Sequence, residues 1–131
     1  MKIMLCYDSS REAGEALGLA KKHARAFDAE KVYVVTSMVG GRDVPREVFA
    51  NAERELRYAE NVLKEENIVC ETRLLVRGLT PGEDIVEFAK EKEVDEIIIG
   101  VSKKSKVEKL LMGSTAQYVI LKAACPVVAT K

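Results

Sequence analysis

A chain of 131 residues has room for one domain and one substantial core, so we read residues 1–131 as a single unit. At 47% hydrophobic and 32% charged residues it falls in the globular range, which argues against disorder, collagen-like repeats and a membrane-spanning protein. Twenty-one Lys plus Arg balance twenty-one Asp plus Glu, so no net charge draws it to nucleic acid or to a membrane surface, and neither is an expected partner.

Lys2 to Tyr7 reads as a first strand. The chain turns polar at Tyr7-Asp8-Ser9-Ser10, too early for a secretion signal, and it nowhere holds a run of roughly 18 apolar residues, so a cytoplasmic location is expected. Ser9 or Ser10 can cap a helix whose Ala13, Ala16, Leu17, Ala20, Ala24 and Phe27 recur at helical spacing. His23 lies on a polar stretch of that helix and is expected to be exposed rather than to act as a base. Lys31 to Ser37 supplies a second strand, followed by a loop from Met38 to Asp43 carrying Gly40-Gly41. A long helix starts near Pro45 with the stripe Val48, Ala52, Leu56, Ala59, Val62 and Leu63, and Asn67 is its expected stop. The third strand, Val69 to Val76, alternates polar and apolar residues, which suggests a wetter edge strand.

Thr80 before Pro81 reads as a helix cap followed by proline at the first helical position, with Ile85, Val86, Phe88 and Ala89 on the apolar side. Glu96 to Gly100, with Ile97-Ile98-Ile99 unbroken by polar residues, has the character of a central strand buried on both faces. A last helix from about Ser114 to Ala123 uses Ala116, Val119, Ile120 and Ala123, and Pro126 admits a final strand to Thr130. Strands and helices alternate throughout, which is the signature of an α/β protein with a mostly parallel sheet. Cys6, Cys70 and Cys125 are odd in number and lack ligand spacing, so they read as small buried apolar residues, with neither a disulfide framework nor a zinc site.

Open parallel sheets bind ligands at the carboxyl ends of their strands, where the strand order reverses. The richest such segment runs from Gly100 through Ser102, Lys103, Lys104, Ser105 and Lys106, and Met112-Gly113-Ser114-Thr115 then opens a helix. Gly113 allows close approach to the backbone, and the amides and hydroxyls of Ser114 and Thr115 stand at a helix amino terminus that favours an anion. The alternative is an ordinary turn and cap beside a solvated lysine loop. Asp8, at the tip of the first strand, is likewise either a ligand contact or a cap for the following helix. The Walker A, GxGxxG and SGGxDS patterns are absent, and Val76-Arg77-Gly78 offers no acceptor aspartate for a receiver domain. No nucleophile with an adjacent base can be assembled, so nothing argues for catalysis beyond slow hydrolysis of a bound nucleotide.

These residues resemble the small single-domain members of the universal stress protein family, over the whole chain. In the family signature G-x2-G-x9-G-[ST], Gly100 matches the first glycine, Gly113 the last and Ser114 the hydroxyl, while Asp8 matches the family's acidic residue at the nucleotide site. Lys103 stands where the second glycine belongs, and Cys6-Tyr7 differs from the usual small or Pro-Thr pair. The lysine either blocks a site that needs a glycine or neutralises a phosphate. The resemblance implies a doubly wound, five-stranded sheet in the order 3-2-1-4-5, the adenine nucleotide alpha hydrolase-like fold. It implies a regulatory role in the stress response with ATP or AMP as ligand, and it leaves a bridging Mg²⁺ open. Asp8 and Ser37 would hold the adenine and ribose end, and Ile99, Gly100, Ser102, Lys103, Gly113, Ser114 and Thr115 the ribose and phosphates. It also implies a homodimer through the carboxyl-terminal edge strand, a surface read by a further protein partner. The competing readings are a dimeric interaction module that has lost its nucleotide, and a weak ATPase.

Overall fold

A computed structural model describes residues 1–8, 10–40, 44–101 and 113–131. Five parallel strands, β1 (Lys2–Cys6), β2 (Lys31–Ser37), β3 (Cys70–Leu75), β4 (Glu96–Gly100) and β5 (Val127–Thr130), form one sheet in the order β3-β2-β1-β4-β5. Helices α1 (Arg11–Ala26), α2 (Arg46–Glu65), α3 (Pro81–Glu91) and α4 (Ser114–Lys122) make the crossovers. The order reverses between β1 and β4, as the sequence leads one to expect.

Two cores follow from strand alternation. Ile3, Leu5, Val32, Val34 and Ile98 point to one face and pack with Ala16, Leu17, Leu56 and Leu63 of α1 and α2. Met4, Val35, Ile97 and Ile99 point to the other and pack with Ile85, Phe88 and Val119 of α3 and α4. Each such side chain, taken out of water, contributes about 2 kcal/mol before entropy is counted.

Local chemistry sets the helix ends. Of the two candidate caps, the structure shows Ser10, whose Oγ accepts from the Ala13 amide at 3.2 Å. Thr80 caps α3 by accepting from the Glu83 amide, and its hydroxyl donates to Glu83 Oε1 at 2.7 Å. Asn67 stops α2 in the left-handed region, φ 59°, with the Ile68 amide donating back to the Leu63 carbonyl at 3.0 Å. Asp28 and Glu93 end α1 and α3 in the same conformation, φ 50° and 54°.

Several positions differ from expectation, each for a physical reason. Phe27 is the C-cap of α1 rather than part of its core stripe and is 52% exposed. Val48 and Ile120 lie on exposed turns, because α2 and α4 bury only the parts of their stripes that reach the sheet. His23 is not an exposed residue: its Nδ1 lies 2.7 Å from Glu96 Oε1, both largely covered, so α1 is pinned to the start of β4. The three cysteines are half-buried rather than fully buried, packed at the margins of the two cores, and they form no disulfide.

Candidate functional site

A cavity of about 270 Å³ opens at the carboxyl ends of β1, β2 and β4, beneath the amino termini of α1, α3 and α4. Its floor is apolar, with Val35 and Ile99 from the sheet, Pro81 and Ile85 from α3 and Ala116 from α4. Its rim is polar. Asp8, Ser10, Thr36, Ser37, Gly113 and Thr115 all reach it. Such a combination suits a ligand with one flat apolar part and one anionic part.

Of the residues singled out in the sequence, Asp8, Ser37, Ile99, Gly100, Gly113 and Thr115 converge on this cavity. Ser114 is the first residue of α4, is exposed, and is not among the residues that line it. Ser102 and Lys103 lie outside the described residues, as does the rest of the lysine-rich segment. Sequence reasoning missed Thr36 and Ile85 as wall residues. Their only signal was position, next to the end of β2 and just past the first turn of α3.

Asp8 does not cap α1; Ser10 does. One carboxylate oxygen, Oδ1, accepts from the Ser10 amide at 2.8 Å and closes the turn after β1. The residue is exposed at the rim, so Oδ2 remains available to a ligand hydroxyl or amine. Thr36 fastens the same turn, its hydroxyl donating to the Tyr7 carbonyl at 2.6 Å.

Cys6 sits on the inner wall. Burial, reinforced by the negative charge of Asp8, pushes its thiol up to about 12, so it stays protonated and serves as a small neutral surface rather than a nucleophile. Burial and then the charge of Glu55 likewise raise the Tyr7 phenol, which remains a neutral donor.

The two terminal glycines of the motif have different physical reasons. A Cβ on Gly100 would stand 2.7 Å from the carbonyl carbon and oxygen of Glu12, so this glycine lets β4 and α1 touch. A Cβ on Gly113 would meet nothing within 4 Å, and its φ of −61° suits any residue. Among the described residues nothing gives Gly113 a reason to be glycine; a molecule resting against the backbone would.

The amino terminus of α4 differs from the others in charge. The first turns of α1, α2 and α3 carry Glu12, Glu47, and Glu83 with Asp84, whereas α4 has no acid there and no side-chain cap. Among the described residues, its amino-terminal amides and dipole thus have no acidic side chain or side-chain cap opposing them.

Behind the α3 wall, Asp84 is fully buried. Arg77 Nε donates to its Oδ1, Arg77 Nη2 to its carbonyl oxygen at 3.3 Å, and Nη1 to Glu91 at 3.0 Å. This clamp ties the loop after β3 to the turn that carries Pro81 and Ile85. Among the described residues, two buried side-chain oxygens have no hydrogen-bond partner, Asp84 Oδ2 and Ser37 Oγ. Among the described residues, no three His, Cys, Asp or Glu side chains are grouped so as to hold a metal ion, and no helix is long and apolar enough to cross a membrane.

The geometry has counterparts among known proteins. A universal stress protein of Methanocaldococcus jannaschii is 33% identical over 140 aligned positions, covering 99% of this chain and 81% of that protein. The solved universal stress protein of Archaeoglobus fulgidus matches with a TM-score of 0.87 at 38% identity, covering 100% of this chain and 93% of the other. A structure from the same organism, described in complex with dAMP, matches with a TM-score of 0.84 at 36% identity, over 100% and 98% of the two chains. The model of the universal stress protein family matches residues 1–131, and with this sheet order and these relatives the chain belongs to that family.

Proposed function

We propose that this chain is a single-domain, adenine-nucleotide-binding regulatory protein of the stress response, with AMP or ATP held in the cavity at the reversal of strand order. The observation that carries the reading is the amino terminus of α4, which among the described residues has neither a side-chain cap nor an acid in its first turn and opens beside Gly113 onto an apolar slot. The dAMP complex of the Archaeoglobus relative supports a nucleotide as the ligand. In this reading Gly113, Ser114 and Thr115 receive the phosphates, aided by Gly100, Ser102 and Lys103. Ile99 borders the ribose, and Asp8 and Ser37 hold the nucleoside end. Mg²⁺, if used, would ride on the phosphates, with Asp8 the acid at the rim.

Calorimetric titration with AMP and ATP, each with and without Mg²⁺, tests this. Saturable binding is expected in the native protein. Gly113→Val should weaken it at least tenfold, an effect of about 1.4 kcal/mol or more, while melting within a few degrees of the parent. Absence of heat and of thermal stabilisation at millimolar nucleotide would instead favour an interaction module without a ligand. Turnover above the Gly113→Val background would be needed to argue for an ATPase.

We further propose a homodimer through β5. That strand pairs with β4 on one side only, and next to it in the chain α4 leaves Leu121 77% exposed, with Tyr118 and Ile120 over a third exposed. An open strand edge beside an apolar helix face invites a second copy. Light scattering at micromolar concentration should give the dimer mass, and Leu121→Glu should shift it to monomer; a monomeric native protein would refute the assignment.

A further inference from the structure

β3 is the outer strand at the end of the sheet opposite β5, and among the described residues no further strand lies beside it. Its backbone phase is fixed on the inner side, where the Val69 carbonyl accepts from the Val32 amide and the Leu75 carbonyl from the Met38 amide, each at 2.9 Å. In a parallel pair the backbone groups of alternate residues turn to the same side. Val69, Glu71, Arg73 and Leu75 therefore face β2, and Cys70, Thr72 and Leu74 turn their amides and carbonyls outward. Charge on an open edge discourages indiscriminate pairing, and β3 carries Glu71 and Arg73, whose Nε donates to Glu71 Oε2 at 3.0 Å. These two charges flank Thr72, and that placement is self-complementary. With two copies of β3 antiparallel about a two-fold axis at Thr72, Thr72 lies opposite Thr72, Cys70 opposite Leu74 and Glu71 opposite Arg73. The outward-facing residues then form the hydrogen-bonded pairs. The charged residues fall at the non-hydrogen-bonded positions, where Cα atoms are about 4.5 Å apart and opposite charges attract. The same register sets Val69, an apolar residue 59% exposed, opposite Leu75. An axis at Cys70 or Leu74 keeps the backbone phase but leaves neither charge opposite its complement within the strand, and a shift of one residue turns inward-facing groups toward the partner.

We propose that the β3 edge is a self-association surface, on which two copies of this chain join their sheets by antiparallel pairing of residues 69–75 centred on Thr72. The charge pattern names the occupant: a segment that offers an arginine to Glu71 and a glutamate to Arg73 at the matching spacing is the strand itself. Two-fold pairing here and at β5 lies at opposite edges of one sheet, so copies carrying both contacts join end to end. A single edge strand buries less than a standard interface, and association in the range of roughly 0.1–1 mM is expected. The proposal depends on neither the nucleotide reading nor the β5 contact.

The test follows weight-average mass by light scattering against concentration, in protein carrying Leu121→Glu so that β5 does not contribute. Between micromolar concentration and about 1 mM the mass should climb toward double its starting value. Glu71→Arg sets arginine against arginine across the axis, and Arg73→Glu sets glutamate against glutamate; each alone should weaken association by about tenfold or more. An equimolar mixture of these two variants should associate again, because every arginine of one chain then faces a glutamate of the other. Mixing does not repair a fold, so this recovery belongs to the contact alone. Thr72→Pro removes an outward amide while leaving the ladder to β2 whole, and it should abolish association. A mass that stays constant over the whole range would overturn the proposal and leave the edge bare. Association that survives Thr72→Pro, or a mixture no heavier than its components, would also overturn it by placing the contact elsewhere.

Discussion

Gly100→Val should be the most damaging single substitution in the cavity region, lowering stability by about 3 kcal/mol or more. The added Cβ would lie 2.7 Å from the Glu12 carbonyl, which is helix backbone and cannot turn aside as a side chain could. Relief requires α1 to slide off β4, but the His23–Glu96 pair and the core packing of Ala16, Leu17 and Ile98 hold α1 in place. Thermal unfolding should show a drop of about 10 °C or more. Gly113→Val makes the contrast, because nothing in the described protein stands near that position. If the two variants melted alike, the division of the motif into a packing glycine and a ligand glycine would be wrong.

Arg77→Ala is expected to cost about 3 kcal/mol, because it strands a fully buried carboxylate. Arg77 is partly exposed and its bond to Glu91 lies at the surface, so most of the loss comes from Asp84 rather than from the pair's attraction. Adding Asp84→Ala to Arg77→Ala should therefore recover part of the stability, a sign that simple loss of contacts would not produce. Urea unfolding of both single variants and the double variant measures this. An Arg77→Ala cost below about 1 kcal/mol would show that water reaches Asp84 and that the clamp is dispensable.

Much of this architecture is legible in the sequence because local and global preferences agree. The run Ile97-Ile98-Ile99 can only be a strand buried on both faces, Thr80-Pro81 starts a helix for reasons internal to four residues, and Asn67 tolerates the left-handed turn that ends α2. The strand order follows from the alternation and the family resemblance together. Interactions between residues distant in sequence were not legible. His23 meets Glu96 across 73 positions, and no local pattern marks a polar residue at the head of a core strand as its partner. Arg77 and Asp84 are near in sequence, but burial of the acid depends on how α3 lies against the sheet. The motif itself conceals a further distinction. Gly100 and Gly113 are the same letter in a pattern, yet a helix backbone explains one and no described residue stands near the other. For Asp8 the sequence allows a cap or a ligand contact; the structure gives one of its oxygens to the turn after β1 and sets the residue at the cavity rim.

The position of β1 at the centre of the sheet has a consequence for the growing chain. Lys2 meets its β2 partner Lys31 after a single crossover, whereas Ile3 must wait for Glu96 before β4 can join. On a ribosome, then, β1, β2 and β3 can zip together while one flank of the central strand stays bare. That flank is an adhesive surface during synthesis, and loop closure over such a span is slow compared with local pairing. The cavity is finished only when β4 and α4 arrive, so ligand can stabilise the completed chain but cannot rescue one released early.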